Sequence, residues 1–168
     1  LLPVLVPLIF FRNTWPGPRD PAAWSDGLRA FRSQVEADLA AGRSVLISEQ
    51  PQLIPFGFWE SPPAFPEFEK IFMFEAAITQ NRAYLTDLYH ALEEQRFDRI
   101  VTEPLYLKYQ GKTAAFGEEN DAWVYWIAEP LMCFYEPVQT WNSIGVQYLA
   151  PRTPDPSCDL DQRLAALP

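Results

Sequence analysis

Residues 82–105, RAYLTDLYHALEEQRFDRIVTEPL, contain the pattern that decides the fold. Apolar side chains recur there with the i, i+4, i+8 spacing of an amphipathic helix, and they form one face: Tyr84, Leu85, Leu88, Tyr89 and Leu92. Residues 97–99 then predict a turn. Residues 100–102 form a short β-branched strand that Pro104 ends. Because a buried strand needs neighbours, we expect the rest of the chain to supply further strands and helices.

The 168-residue chain has the size and composition of one globular domain. Hydrophobic residues make up 48% and charged residues 21%, which excludes a disordered chain. The formal charge is −9 and no basic stripe is present, so we expect no nucleic acid partner and no anionic membrane surface. The 12 Phe, 7 Tyr and 6 Trp predict either a rich core or an apolar surface that meets a partner.

The N-terminal residues, LLPVLVPLIFF, are apolar throughout and precede the polar pair Arg12-Asn13. The segment is shorter than the roughly 20 residues that cross a bilayer. It also lacks the charged start and the small-residue cleavage site of a signal peptide. We interpret residues 1–13 as the end of a transmembrane helix, with a hydrophobic N-terminal strand as the alternative. Since the chain begins with Leu, we expect a fragment, a processed product or a domain of a longer protein.

A second helix–strand unit precedes the first. After a proline-rich linker from residue 14, the spacing predicts a helix that ends near Ala41, with Gly42 where a left-handed C-terminal cap belongs. Residues 44–48 then form a buried strand. Two successive units of this kind predict two parallel strands joined by a crossover.

The remainder of the chain predicts a helix and a β-hairpin. The helix covers residues 121–134, with Asn120 as its N-cap and with Pro130 producing a kink. The hairpin strands are residues 138–141 and 144–149. We therefore expect an α/β fold with a small, mostly parallel sheet, flanking helices and a C-terminal antiparallel hairpin. Residues 14–152 would form this single soluble domain, and residues 153–168 a tail with at most one helical turn.

Cysteine and histidine usage gives little sign of a metal or redox centre. Cys133 and Cys158 could form one disulfide, but we expect a buried Cys133 and an unpaired Cys158 in the tail. His90 is the only histidine, which makes a zinc site improbable. Three neighbouring acids could be taken for a metal site: Glu118, Glu119 and Asp121. A carboxylate-rich first turn of a helix explains them more simply. We expect no metal and no cofactor.

Between the two predicted parallel strands, residues 52–70 are rich in proline and aromatic residues. Loops of this length are usually functional or disordered, and so many aromatic residues argue against disorder. We favour an apolar cover on the domain's own sheet. The alternative is contact with a membrane, a partner or a hydrophobic ligand through four side chains: Phe56, Phe58, Trp59 and Phe65.

The two predicted parallel strands are each followed by a glutamate, Glu49 and Glu103. In open α/β sheets, ligands bind outside the carboxyl ends of the strands. Both carboxylates, with Gln50 and Gln52 nearby, are therefore candidates for binding sugar hydroxyls, or for acid–base work in a small hydrolase. The simpler explanation is that exposed strand ends are often charged. The sequence contains no phosphate-binding glycine loop, GxSxG or HExxH motif, and we assign no catalytic residue.

Three phrases, GRSVLISEQPQLIPFGF, RFDRIVTEPL and YEPVQTWNSIGVQYLAPR, together with the order of elements, carry a family resemblance. They resemble the C-terminal soluble part of GT-C-type membrane glycosyltransferases, the bacterial relatives of protein mannosyltransferases that use lipid-linked sugars. The resemblance covers roughly residues 1–152 and is closest at residues 97–101.

The resemblance implies an extracytoplasmic, membrane-associated domain of a multi-span enzyme that transfers sugar from a polyprenyl-phosphate donor. The domain would be non-catalytic, because nothing here matches the early loop that carries the family's catalytic carboxylate, and it would help to position the acceptor. Its partners would be the transmembrane portion of the same protein or a membrane protein, and a carbohydrate or lipid-linked sugar. Two alternatives remain: a membrane-tethered assembly or binding subunit of a larger complex, and a small α/β hydrolase that uses Glu49 and Glu103.

Overall fold

The computed structural model describes residues 20–48 and 65–167. Its elements follow one another along the chain as helix α1 (Pro21–Ala40), strand β1 (Val45–Ile47), a 3-10 turn (Pro66–Phe68), α2 (Lys70–Thr79), α3 (Arg82–Glu93), β2 (Arg99–Thr102), α4 (Gly117–Trp123), a π-helical turn (Val124–Ala128), α5 (Glu129–Phe134), β3 (Tyr135–Trp141), β4 (Val146–Pro151) and α6 (Leu160–Ala165). Over these ranges, no helix is long and apolar enough to cross a bilayer. The apolar segment 1–13 lies outside the described residues.

The strands form one sheet in the order β1-β2-β4-β3. β1 and β2 are parallel, with Leu46 opposite Ile100, which confirms the predicted pairing of the two helix–strand units. β4 is antiparallel to β2, and β3 is antiparallel to β4. The α/β class and the closing antiparallel hairpin are therefore confirmed. The described sheet is mixed, because the hairpin extends it beyond the single parallel pair.

Local sequence signals explain both ends of α1. The Asp20 carboxylate accepts a hydrogen bond of 3.0 Å from the backbone N–H of Ala22, and Pro21 occupies a first-turn position where its missing N–H costs nothing. Beyond the last turn, Gly42 adopts a φ of +76°, a left-handed conformation that glycine adopts without steric cost. The predicted cap at Gly42 is confirmed.

The sheet separates two buried clusters. Leu46 and Ile100 share one cluster with helices α2, α3 and α5, whereas Val45 and Val101 share the other with α1. This division follows from the alternation of side chains along a strand. The apolar face predicted for α3 is confirmed, since four of its five members are buried: Leu85, Leu88, Tyr89 and Leu92. The fifth, Tyr84, is half-buried and packs against the same cluster.

A buried carboxylate joins α1 to the sheet. Asp38 is 1% exposed, and it accepts hydrogen bonds from the Tyr148 hydroxyl of β4 and the Arg43 guanidinium. Arg99 of β2 places its Nε 3.6 Å from the same carboxylate. Burial by itself raises the pKa of Asp38, but four neighbours outweigh that effect and lower the pKa below its usual value: Tyr148, Gln34, Arg43 and Arg99.

We predict that Asp38→Asn lowers the free energy of unfolding by about 2–4 kcal/mol at neutral pH, because it removes the buried charge that Tyr148, Arg43 and Arg99 face. A carboxyl group with a lowered folded-state pKa adds stability above its unfolded-state pKa of 3.8, and that stability is lost as the pH falls through the folded-state pKa. The variant should therefore lose less stability than the wild type on acidification below about pH 4.

Urea denaturation over that pH range measures both effects. Asp26→Asn is the matched control, since Asp26 forms only an exposed ion pair with Arg29 and its loss should cost less than about 1 kcal/mol. Equal losses in the two variants would contradict a stabilising role for the Asp38 carboxylate.

Pro130 lies within one helical stretch that continues from α4 through α5. Because proline has no N–H, the carbonyl of Trp126 lacks its usual donor four residues ahead. In the π-helical turn, the Glu129 N–H bonds to the Val124 carbonyl five residues back, so the Tyr125 carbonyl also lacks its usual donor. The predicted disturbance at Pro130 thus takes the form of a π-helical turn in the preceding residues.

Side chains from other elements satisfy both of these carbonyl groups. The Tyr89 hydroxyl of α3 donates to the Trp126 carbonyl at 3.0 Å. The Arg163 guanidinium of α6 donates to the Tyr125 carbonyl, and its Nη2 lies 2.6 Å from Glu129 Oε2. The proline is therefore accommodated only because α3 and α6 supply polar groups at this place.

Cys133 and Cys158 form a disulfide, with Cα atoms 6.0 Å apart. This corrects the expectation of an unpaired Cys158. The segment that follows packs on the domain, with Leu160 and Leu167 buried and the Arg82 guanidinium donating to the Leu167 carbonyl at 2.9 Å. Sequence reasoning missed the pairing because it depends on how this segment folds back onto α5.

We predict that the double variant Cys133→Ser/Cys158→Ser has a free energy of unfolding about 2–4 kcal/mol lower than that of the oxidised wild type, because the bond closes a loop of 25 residues in the unfolded chain. Reduction of the wild type should produce a loss of the same size and leave the variant unchanged. Denaturation with and without reductant tests this. A reductant effect on the double variant would show that the loss has another origin.

Candidate functional site

A cleft of about 960 Å³ opens at the carboxyl ends of the two parallel strands. Ser48, directly after β1, and Glu103, directly after β2, both line it. Helix α2 and the region around the start of α4 supply the remaining walls. The predicted location of ligand binding in this fold class therefore coincides with a real concavity.

The floor of the cleft ties α2 to both strand ends. The backbone N–H of Lys70 donates to the Ser48 carbonyl at 3.0 Å, and Lys70 Nζ lies 2.7 Å from Glu103 Oε2. The Lys70 ammonium also lies 5.9 Å from the centroid of the Trp123 ring. The first turn of α2 is thus held at the edge of the sheet. Within the cleft, the Lys70 ammonium is paired with the Glu103 carboxylate.

The walls are apolar and strongly exposed. Helix α2 has a buried face containing Met73 and Ala77, and a second apolar face, at spacings of 3 and 4, that lines the cleft: Ile71, Phe74 and Ile78. Ile71 is 63% exposed and Ile78 is 45% exposed. Since contiguous apolar surface of this kind is uncommon on isolated domains, it indicates contact with a ligand or a partner.

The opposite rim is held rigidly by the start of α4. The Asp121 carboxylate accepts hydrogen bonds from the backbone N–H groups of Gln110 and Gly111 at 2.7 and 3.0 Å. The hydrogen bond from Gln110 is the main reason that the pKa of Asp121 lies below its usual value. The Asn120 amide donates to the Lys108 carbonyl at 2.9 Å. Both side chains thus fasten the preceding loop to the helix.

The prediction of Asn120 as the N-cap is wrong, because α4 begins at Gly117, four residues before the predicted start at residue 121. A Cβ at Gly117 would lie 1.9 Å from the carbonyl oxygen of Gly111, so only glycine permits this close approach of loop and helix. Phe116, in the N-cap position, has a φ of +57° and is 79% exposed at the cleft. An exposed aromatic residue in a strained backbone conformation is a feature of functional sites rather than of cores.

Two of the predicted site residues fall in the described part of the chain. Glu103 lines the cleft, as its position after β2 predicts. Phe65 instead packs against the domain, with its ring 4.9 Å from that of Phe97 and under the Arg96 guanidinium at 4.8 Å. The other predicted residues lie outside the described residues, and their roles stay predictions: Glu49, Gln50, Gln52, Phe56, Phe58 and Trp59.

Several residues of the cleft escaped sequence reasoning, above all Lys70, Phe74, Phe116, Glu119 and Trp123. One signal for part of this set was present. The sequence of α2 is apolar on two faces. A helix that packs on one side of a sheet needs only one apolar face to form the core, so the second face indicates another contact. Phe116 gave no comparable signal, because its position follows from how the loop before α4 is fastened.

The lining of the cleft combines carboxylates with aromatic and aliphatic side chains. Carboxylates accept hydrogen bonds from hydroxyl groups, and aromatic and aliphatic walls cover apolar faces of a ligand. Glu103 is engaged by the Lys70 ammonium rather than by a second carboxylate. Within residues 20–48 and 65–167, no group of three or more potential metal-ligating side chains is placed to hold an ion.

Comparison with known proteins finds no matching family model, no matching curated protein and no matching solved structure. The resemblance to GT-C-type glycosyltransferases therefore rests on the sequence phrases alone.

We predict that Glu103→Gln changes the free energy of unfolding by no more than about 1 kcal/mol, because its ion pair with Lys70 is partly exposed, at 40% and 31% for the two side chains. Glu118→Gln, which removes a more exposed pair with Lys112, is the control. Urea denaturation of both variants tests this. A loss above about 2 kcal/mol for Glu103→Gln alone would mean that the pair serves the fold rather than a ligand.

Proposed function

We propose that this chain is the non-catalytic soluble domain of a membrane glycosyltransferase with a polyprenyl-phosphate sugar donor, and that its cleft helps to position the acceptor. One observation carries the proposal: at the carboxyl edge of β1 and β2, carboxylate side chains face aromatic and aliphatic walls. A sugar ring presents hydroxyl groups on its rim and apolar C–H groups on its faces, and both kinds of surface have counterparts here.

The disulfide supports the extracytoplasmic location. Bonds between cysteines persist in oxidising compartments and are rare in the reducing cytosol. The Cys133–Cys158 bond joins α5 to the segment before α6, and both belong to the packed domain. A domain stabilised in this way suits the outer side of a membrane, where the resemblance also puts it.

The exposed walls support a neighbouring partner, which in this proposal is the transmembrane portion of the same protein. Ile71 and Ile78, which line the cleft on α2, are 63% and 45% exposed. Such side chains lose contact with water when a partner covers the mouth of the cleft. The same observation favours the second candidate function, a membrane-tethered assembly or binding subunit that uses the surface but binds no sugar.

We predict that neutral sugars shift NMR resonances of the cleft. The folded chain is titrated with mannose, glucose, galactose and N-acetylglucosamine and their disaccharides. The expected shifts cluster on backbone amides of Lys70, Phe116 and Glu119. Phe116→Asn, whose new residue tolerates a positive φ, should weaken binding roughly 5- to 10-fold by removing an exposed aromatic wall.

Tyr106→Asn is the matched control, because Tyr106 is 77% exposed, almost as much as Phe116, but does not line the cleft. Its affinity should stay within about 2-fold of the wild type. Shifts spread over the surface, or absent for every sugar, would overturn the acceptor proposal and leave the assembly subunit as the leading function.

A further inference from the structure

We infer that the cleft selects an uncharged, hydroxyl-rich ligand, a neutral sugar chain of the acceptor, and discriminates against the phosphate group of the donor. The inference rests on the proposed function and specifies which of the two substrates this domain contacts. It follows from two independent features of the cleft: the balance of its charges and the hydrogen-bonding groups that it leaves available.

The charge balance of the described lining is negative. Three carboxylates, Glu69, Glu103 and Glu119, face a single ammonium group, that of Lys70, which leaves a formal charge of −2. The Lys70 ammonium lies 2.7 Å from Glu103 and is therefore already engaged. A phosphate that enters would meet Glu69 and Glu119, for which the described residues show no ion pair.

The sequence directly after Ser48 adds no positive charge. Residues 49–64 contain two acidic residues, Glu49 and Glu60, and no lysine, arginine or histidine. The whole chain has a formal charge of −9. Since charges of one sign lining a cleft raise or lower the local concentration of ions, anionic ligands are repelled even before contact.

Hydrogen bonding points the same way. The Asn120 amide donates to the Lys108 carbonyl at 2.9 Å, and the Gln110 amide donates to Asn120 Oδ1 at 3.1 Å. The Ser48 hydroxyl donates to the Val101 carbonyl at 2.8 Å. These three side chains each donate to a partner within the domain, whereas the carboxylate oxygens of Glu69 and Glu119 remain as acceptors.

A ligand that fits such a surface must bring its own donors. Sugar hydroxyl groups donate and accept, so they can bond to the carboxylates of Glu69 and Glu119. An ionised phosphate brings oxygens that mainly accept and needs arginine, lysine or free backbone N–H groups. The apolar walls add contact area for a neutral ring without adding charge.

The test compares matched sugar pairs on the full 168-residue chain. Mannose, glucose, galactose and N-acetylglucosamine are each titrated beside their 6-phosphates, with cleft amide shifts as the readout. At about 20 mM NaCl, the neutral member should bind at least roughly 10-fold more tightly than its phosphate. At about 500 mM NaCl the ratio should fall towards 2-fold, because salt screens the repulsion.

The variant Glu119→Gln removes one of the repelling charges and keeps the shape of the side chain. It should reduce the ratio between the neutral and phosphorylated members by roughly 3-fold or more at low salt. Glu118→Gln is the control, because Glu118 is the neighbouring acid, pairs with Lys112 and does not line the cleft. A reduction of equal size in both variants would overturn the assignment of selectivity to the cleft.

The two proposals fail in different ways. If a phosphorylated sugar binds as tightly as its neutral counterpart or more tightly at low salt, the inference is overturned. The proposed function then still stands, but the cleft does not discriminate by charge. If no member of any pair binds, the proposed function is overturned together with the inference that rests on it.

Discussion

The Asp38 carboxylate lies between helix α1 and the sheet, and the position of the whole first layer depends on it. A buried charge is costly unless donors and opposite charges surround it, and here these groups come from the following loop and from two different strands: Arg43, Arg99 and Tyr148. Apolar packing of α1 alone would tolerate sliding along the sheet. The buried carboxylate adds a polar requirement to this layer, because Asp38 must lie where Tyr148, Arg43 and Arg99 can reach it.

The second layer depends on a comparable requirement, the satisfaction of backbone carbonyl groups near Pro130. Tyr89 and Arg163 supply the missing donors, and this connects α3 and α6 to the π-helical turn before α5 through polar groups as well as through the core. The disulfide holds the segment that carries Arg163. Arg163 lies on α6, in the C-terminal segment. The position of α4, and with it the rim of the cleft, therefore depends on this C-terminal segment. Site and fold are not separable here: the rim is the end of a helix that α3 and α6 keep in place.

The sequence predicted features that local rules determine. The face of α3, the cap at Gly42 and the parallel pairing of β1 with β2 depend on spacing, on φ preferences and on handedness. Glu103 was found because strand ends mark the binding edge of such sheets. Sequence rules missed three features: the disulfide, the start of α4 and the role of Phe116. Each depends on a contact between segments that are separate in the sequence, which local rules do not predict. The donors at Pro130 are of the same kind, because Tyr89 and Arg163 are 37 and 38 residues away from the carbonyls that they satisfy.

The hydrogen bond between Tyr148 and Asp38 joins positions 110 residues apart, and this separation orders the folding of the chain. Contacts between distant segments tend to form late, because closing a long loop costs entropy before the contact can stabilise the chain. A hairpin such as β3–β4 closes a short loop and forms locally. We therefore expect helix α1 to dock late, with the strand side chains that it covers open to water until then. In that case, the surface most exposed to aggregation during folding is this face of the sheet, on the side opposite α2 and α3.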